Sequence, residues 1–285
     1  MRGPVTGRAV LLVLVAILSV QLGASFSKQL FGQVEPVGMV WLRLVFSTVV
    51  LLAVARPRLR GHSQHDVLLV LAFGASLATM NWAIYESFSR MPLGVAVTIE
   101  FLGPLGVALA GSRKAWDLLW VALAGTGVAL LGLDTSGVTF AGVLFALLAG
   151  AAWAAYIPLS AAVGQSWPGV SGLAIASAVG ALALAAPALL IAGDGLVDPT
   201  VLAVGAAVAL LSSVIPYSLE LNALRAMPAR VFGILMSLEP AAAALVGLIV
   251  LGELLEPTQW LAVVCVVAAS VGVTRTARRP RVPVD

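Results

Sequence analysis

Charge is the first thing this 285-residue chain has little of: Asp, Glu, Lys and Arg make up 10% of it, against about 25% in an ordinary soluble domain. That shortage excludes a soluble enzyme, a disordered chain and a nucleic-acid binder, each of which needs a polar surface or a solvated backbone. Cysteine is nearly absent. Cys265 stands alone in an apolar run, so no disulfide forms within the chain and a Cys/His metal cluster is ruled out. The two histidines, His62 and His65, share one polar loop. No Gly-x-x-x-x-Gly-Lys phosphate loop occurs, which argues against nucleotide-driven work within the chain.

What is present is apolar: 61% of residues are hydrophobic. A helix crossing a hydrocarbon core of ~30 Å needs about 20 residues. Apolar runs of that length lie near 9–31, 36–55, 66–88, 92–112, 116–133, 138–163, 168–192, 199–224, 229–251 and 257–274. The expectation is therefore an all-α polytopic membrane protein with ten transmembrane helices. Positive charge tests this count. With the N-terminus inside, the inner segments hold Arg2, Arg8, Arg56, Arg58, Arg60, Arg113, Lys114, Arg225, Arg230, Arg275, Arg278, Arg279 and Arg281, and the outer loops only Arg90. Such a bias marks the cytoplasmic side and puts both termini there. The outer loops carry Glu35, Asp134, Asp194, Asp198, Glu253 and Glu256 instead. The inner connection at Gly164–Trp167 is uncharged, so alternation alone places it. A cleaved signal peptide ending near Gly23-Ala24-Ser25 is the competing reading of the N-terminus. The apolar run continues to Phe31, past a usual signal core, and favours a retained span.

The chain repeats itself weakly. Met91-Pro92 recurs as Met227-Pro228, and a proline follows each pair at the same distance, Pro104 and Pro240. Five spans fall in each half, 9–134 and 138–275, with a basic tail at 276–285 expected in the cytoplasm. An odd number of spans makes the second half enter from the opposite face. That is the inverted repeat of secondary transporters, whose site lies near the midplane between the halves. Gly142, Ala146, Gly150 and Ala154 recur every fourth residue and give the sixth span a face for close helix packing.

Ionisable residues inside a bilayer cost about 2.5–3.5 kcal/mol each at a helix centre, so each needs a partner, water or a function. Six fall within spans: Lys28, Arg43, Glu86, Glu100, Glu220 and Glu239. Lys28, Glu86 and Glu220 lie near span ends, where snorkelling to the interface is the plain alternative. Arg43, Glu100 and Glu239 lie deeper. Gln21, Ser25 and Lys28 form one stripe of the first span, and Asn81 with Tyr85 one stripe of the third. Pro104, Pro216 and Pro240 each remove a helical hydrogen bond and free a carbonyl, which lipid tolerates only where protein or a cavity answers it. Cations and anions together suit a zwitterion: Arg43 or Lys28 for a carboxylate, a glutamate for an ammonium. Pairing of Arg43 with Glu100 or Glu239 is the alternative. Tyr85, Tyr156 and Tyr217 are candidate hydrogen-bond donors to a pore, Tyr156 equally a packing residue. Intramembrane hydrolysis needs paired aspartates, a Ser/His arrangement or a His-rich metal site, and every aspartate here lies in a loop or at a span end. No enzyme, cofactor or metal is expected.

These residues carry a resemblance. Ser237-Leu238-Glu239-Pro240, a small-residue run and Leu251-Gly252-Glu253 resemble the second-half signature of the EamA-type branch of the drug/metabolite transporter superfamily, and Leu42-Arg43 its first half. Within that branch the chain is similar to the bacterial threonine/homoserine exporters. The matching stretches are Gly23-Ala24-Ser25 with Lys28, Pro92-Leu93-Gly94 leading to Glu100-Phe101 and Gly103-Pro104-Leu105, Pro216-Tyr217-Ser218-Leu219-Glu220, and Phe232-Gly233 through Met236-Ser237 to Glu239-Pro240. The likeness spans 9–275. It departs from symmetry where Gly103-Pro104 stands opposite Glu239-Pro240. The resemblance implies ten spans in the bacterial inner membrane and export of small neutral amino acids coupled to the proton gradient. Arg43 or Lys28, Asn81, Tyr85, Tyr156 and Tyr217 would then bind the substrate, and Glu100 or Glu239 would carry the proton. A monomer and a homodimer both fit. Export of hydrophobic cations by the same fold is the alternative, and it has no need of Arg43.

Overall fold

A computed structural model of the chain describes residues 7–58, 61–110, 116–133 and 137–276. Arg2, Arg60, Arg113, Lys114, Asp134 and nearly all of the basic tail lie outside the described residues, which contain helices and no strand. The first three spans are α1 (Gly7–Gln29), α2 (Pro36–Ala55) and α3 (Gln64–Phe88). The fourth is broken into α4 (Leu93–Glu100) and α5 (Leu102–Ala110), and α6 (Trp116–Leu133) is the fifth. After α7 (Phe140–Ser166) and α8 (Ser171–Ile191), the eighth span runs through α9 (Pro199–Ala209), a π turn at Leu210–Val214 and α10 (Ile215–Ala226). The ninth is α11 (Ala229–Met236), α12 (Glu239–Val246) and a π turn at Gly247–Leu251. The last is α13 (Pro257–Thr276). Among the described residues nine helical stretches are long and apolar enough to cross a bilayer. The remaining expected span, the fifth, α6, has a shorter described apolar part, Leu118–Leu131.

Local chemistry sets the ends. Pro36 opens α2 after Glu35, where a missing N–H costs nothing. Ser63 and Asp66 form a reciprocal capping box at α3. Asp198 caps α9, and the Val201 and Thr200 N–H groups that donate to it hold its carboxyl below the usual carboxylate range. The π turn of the ninth span stops at Gly252, whose φ of 69° belongs to the left-handed region that glycine enters without a Cβ clash.

The burial pattern is that of a protein in lipid. Large apolar side chains such as Leu68, Leu118, Leu182, Leu190 and Ile249 point outward, while Gln21, Ser25, Ser47, Asn81, Thr98, Glu100, Ser237 and Glu239 are buried. Alkyl groups gain nothing by leaving hydrocarbon, so close packing and hydrogen bonds hold the bundle together. The small-residue face of α7 is used as the spacing predicts: a Cβ on Gly103 would stand 2.0 Å from the Gly150 carbonyl oxygen. Trp41 Nε1 donates to the Ala181 carbonyl at 3.0 Å, and Ser76 Oγ to that of Ala152 at 2.7 Å, tying α2 to α8 and α3 to α7.

The main helix pairs join one half of the chain to the other: α3 with α7, α2 with α8, α6 with α13, α1 with α10 and α4 with α12. The breaks correspond as well. α4 and α11 are each eight residues long, each begins directly after the proline of a Met-Pro pair, and each ends four residues before a proline.

Candidate functional site

Pro216 carries no N–H, so the Ser212 carbonyl one turn earlier lacks its α-helical donor. Arg43 Nη2, reaching across from α2, donates to that carbonyl at 3.0 Å. Its Nη1 donates to the Tyr85 hydroxyl at 3.4 Å and its Nε to Ser213 Oγ at 3.5 Å. The guanidinium carbon also lies 5.8 Å from the centre of the Tyr85 ring, within reach of the ring's negative face. Ser27 Oγ shares a hydrogen bond with the Tyr85 hydroxyl at 3.2 Å. An arginine in the bilayer is thus held by neutral groups from α3 and the π turn, the α3 hydroxyl being braced in turn by α1, and no carboxylate pairs with it among the described residues. Such turns recur where a helix must offer an irregular surface.

Arg43 faces a cavity of about 140 Å³ lined also by Gln21, Asn81, Tyr85, Trp153, Ser212, Glu100 and Glu239. A single water needs about 10–15 Å³ of such space, so the cavity has room for a small polar metabolite. Glu100 closes α4 at the Phe101 break, and Glu239 opens α12 just past the Ser237-Leu238 break. They are 8% and 7% exposed, and neither has an ion pair or hydrogen bond with a described side chain. Burying them unpaired is costly, and the helix breaks put both beside the one cation in the chamber. Asn81 anchors its amide nitrogen on the Leu77 carbonyl at 2.8 Å. Among the described residues Ser212 Oγ is buried without a hydrogen-bond partner.

A second chamber of about 230 Å³ adjoins the first. Arg43, Asn81, Ser212 and Glu239 line both, whereas Tyr156, Tyr217 and Glu220 line only the second. A third space, bounded by Tyr156 and Tyr217 again, reaches Trp167 between α7 and α8. The cavities therefore lead toward the Trp167 end of the bundle.

The other end is tied shut. Lys28 Nζ meets Glu253 Oε1 at 2.6 Å and donates to the Met91 carbonyl at 2.7 Å. Glu253 Oε2 accepts from the Leu93 N–H at 2.7 Å. Gln29 Nε2 donates to the Val250 carbonyl at 3.3 Å. The bonds to Val250 and Glu253 join the ends of α1 and α4 to the π turn at Gly247–Leu251 and the loop after it, across the two halves.

Of the candidate residues, Arg43, Asn81, Tyr85, Glu100 and Glu239 gather at the first chamber, with Tyr156 and Tyr217 in the second. Lys28 does not join them; its charge is taken by Glu253. Pro216 lines the second chamber, whereas Pro104 and Pro240 act on the backbone beside the glutamates. Glu86 pairs with Arg90. Sequence reasoning missed three features. Trp153 gives no signal inside an Ala-rich span. Ser212 matters through its backbone. Glu220 faces a chamber rather than the interface.

A family model described as the EamA-like transporter family matches residues 140–275. The threonine/homoserine exporter RhtA of Escherichia coli strain K12 is 44% identical over 273 residues, covering 95% of this chain and 92% of RhtA. RhtA of Salmonella typhimurium strain LT2 is 43% identical over the same shares. A shorter likeness, 29% identical over 173 residues and covering 59% of this chain and 57% of the relative, is to the uncharacterized transporter YwfM of Bacillus subtilis strain 168. A solved crystal structure shares the fold at 17% identity, with a TM-score of 0.63 over 95% of this chain and 99% of that one. With its apolar helices, its buried charges and these relatives together, the chain belongs to the EamA-like transporter family and is a transmembrane transporter.

Proposed function

We propose that this protein exports small neutral amino acids of the threonine/homoserine type across the bacterial cytoplasmic membrane, by proton antiport with alternating access. One observation carries the reading: a single arginine, free of any described carboxylate partner, faces two buried glutamates across one small chamber. A zwitterion fits that arrangement, its carboxylate on Arg43 and its ammonium toward Glu100 or Glu239. The RhtA likeness over nearly the whole chain supports the substrate class. A hydrophobic cation suits the site less, because the fixed charge of Arg43 opposes it.

The two halves, 9–134 and 138–275, act as inverted repeats. The helix pairing supports this. Exchanging the halves turns the contact of span three with span six into that of span one with span eight, and leaves spans two with seven, four with nine and five with ten unchanged. The bias of basic residues supports cytoplasmic termini, and alternation of the spans then puts the Trp167 end on the same side. The chambers then open inward and the Lys28–Glu253 pair seals the outside. Loading from the cytoplasm, breaking of that seal and closure around Trp167 give alternating access, with a proton returning on Glu239 or Glu100.

The test is movement of radiolabelled threonine in oriented vesicles with and without a proton gradient. Gradient-dependent movement is the expected result. Movement indifferent to the gradient would remove the antiport, and no movement by folded protein would remove the substrate class.

A further inference from the structure

Two chambers with one shared wall raise the question of why the second is charged. Arg43 stands on the shared wall together with Asn81, Ser212 and Glu239. On one side of it lies Glu100, which lines only the first chamber. On the other lies Glu220, which lines only the second, beside Tyr156 and Tyr217. Glu220 sits one turn past Pro216 on α10, well inside the stretch Pro199–Ala226. It has no ion pair or hydrogen bond with a described side chain. Among the described residues, two further polar groups on the shared wall stand apart: Ser212 Oγ, in a residue 7% exposed, has no hydrogen-bond partner, and the equally buried Glu239 has no ion pair. A carboxylate kept in a bilayer span without a partner, facing a cavity with hydroxyl donors, has the makings of a ligand site.

We propose that the protein holds its substrate in two successive positions about one anchor. In the first, at the Trp167 side, the ammonium rests on Glu220 between Tyr156 and Tyr217. In the second it has swung across to Glu100 and Glu239. The carboxylate stays on Arg43 throughout. This rests on the zwitterionic substrate class argued above and adds a loading site to it. The Arg43 fork makes this feasible. Three of its N–H groups are bound to Ser212, Ser213 and Tyr85, and a guanidinium has five, so two remain for a carboxylate on either side. Because both positions use Arg43, they exclude each other, and one substrate is bound at a time. No covalent step is involved.

The experiment measures threonine transport from each face separately in oriented vesicles, with 3-hydroxybutyrate, which lacks the ammonium, as competitor. Losing a hydrogen bond to a charged group corresponds to about a tenfold loss of affinity. Glu220→Gln is expected to raise KM about tenfold from the Trp167 face alone and to narrow the preference for threonine over 3-hydroxybutyrate on that face. Glu220→Asp, which keeps the charge, restores much of both. Equal effects on the two faces, or none, in folded Glu220→Gln protein overturn the loading site while the transport function stands. A wild-type chain that moves threonine from neither face removes both readings.

Discussion

Arg43 and Pro216 act as a pair through the Ser212 carbonyl. The proline withholds the hydrogen that would have occupied the Ser212 carbonyl, and the arginine from another helix takes its place at 3.0 Å. The cation in the chamber is therefore positioned by a carbonyl that a proline on a different span leaves free. A lone Arg in lipid is expensive; here a backbone dipole freed by sequence offsets part of that cost without neutralising the charge.

Pro216→Ala tests this pairing. Restoring the N–H lets the helix reclaim the Ser212 carbonyl and sets the guanidinium loose. The expected outcome is a KM for threonine raised about threefold to tenfold, the range of one charge-assisted hydrogen bond, with thermal stability in detergent unchanged or higher. A KM equal to wild type would show that the carbonyl contributes nothing to Arg43.

Arg43→Lys keeps the charge and loses the fork. An ammonium reaches one of the three partners at a time, so transport is expected to fall at least about tenfold, and Arg43→Ala to fall further. Uptake assays with expression checked by immunoblot decide it. A drug-resistance phenotype surviving Arg43→Ala would instead favour the cation reading.

Glu239→Gln is expected to abolish gradient-driven threonine export and to leave membrane insertion intact, since the amide is isosteric and removes a buried charge. Export at the wild-type rate would end the proton-carrier role of Glu239 and move it to Glu100.

Gly103→Ala probes packing. Its Cβ would lie 2.0 Å from the Gly150 carbonyl oxygen, and backbone cannot step aside as a side-chain tip does. Overpacking of this kind costs about 1–3 kcal/mol, so the melting temperature is expected to drop by several degrees. Gly106→Ala, where the added methyl meets nothing within 4 Å, serves as the control.

Glu253→Ala breaks the seal at the Lys28 end. It leaves the largely buried Lys28 ammonium without its carboxylate, a change of up to about 3 kcal/mol against the closed arrangement. A cysteine placed at Phe88, on the first chamber, should then react faster with a membrane-impermeant thiol reagent applied from that end. Cys265 is buried and gives a quiet background.

The spans and the deep charges were legible because the bilayer prices both. Twenty apolar residues have few other uses, and Arg43, Glu100 and Glu239 stand out where any charge is costly. Lys28 was legible as a charge but not as half of an ion pair. Its partner Glu253 lies in a loop of the other half, and which loop meets which helix end depends on how the halves dock. The π turns were illegible because one extra residue in a turn has no compositional mark; only Pro216 hinted at the site. Trp153 and Glu220 depended on helix rotation, which an Ala- and Leu-rich span barely encodes.

Where α4 crosses α12, a Cβ on Gly94 would stand 2.6 Å from the Ala244 Cα. Two helices that meet backbone to backbone have no side chains to ratchet past one another, and neither can slide without lifting off. In the alternating access proposed above, this crossing would act as a fulcrum about which the halves turn. Glu100 and Glu239, rooted one to two turns from that point on the same two helices, lie on the short arms of the lever. Under that proposal access would change most at the far ends of the bundle, where Trp167 sits, while the spacing of the two carboxyls would change least.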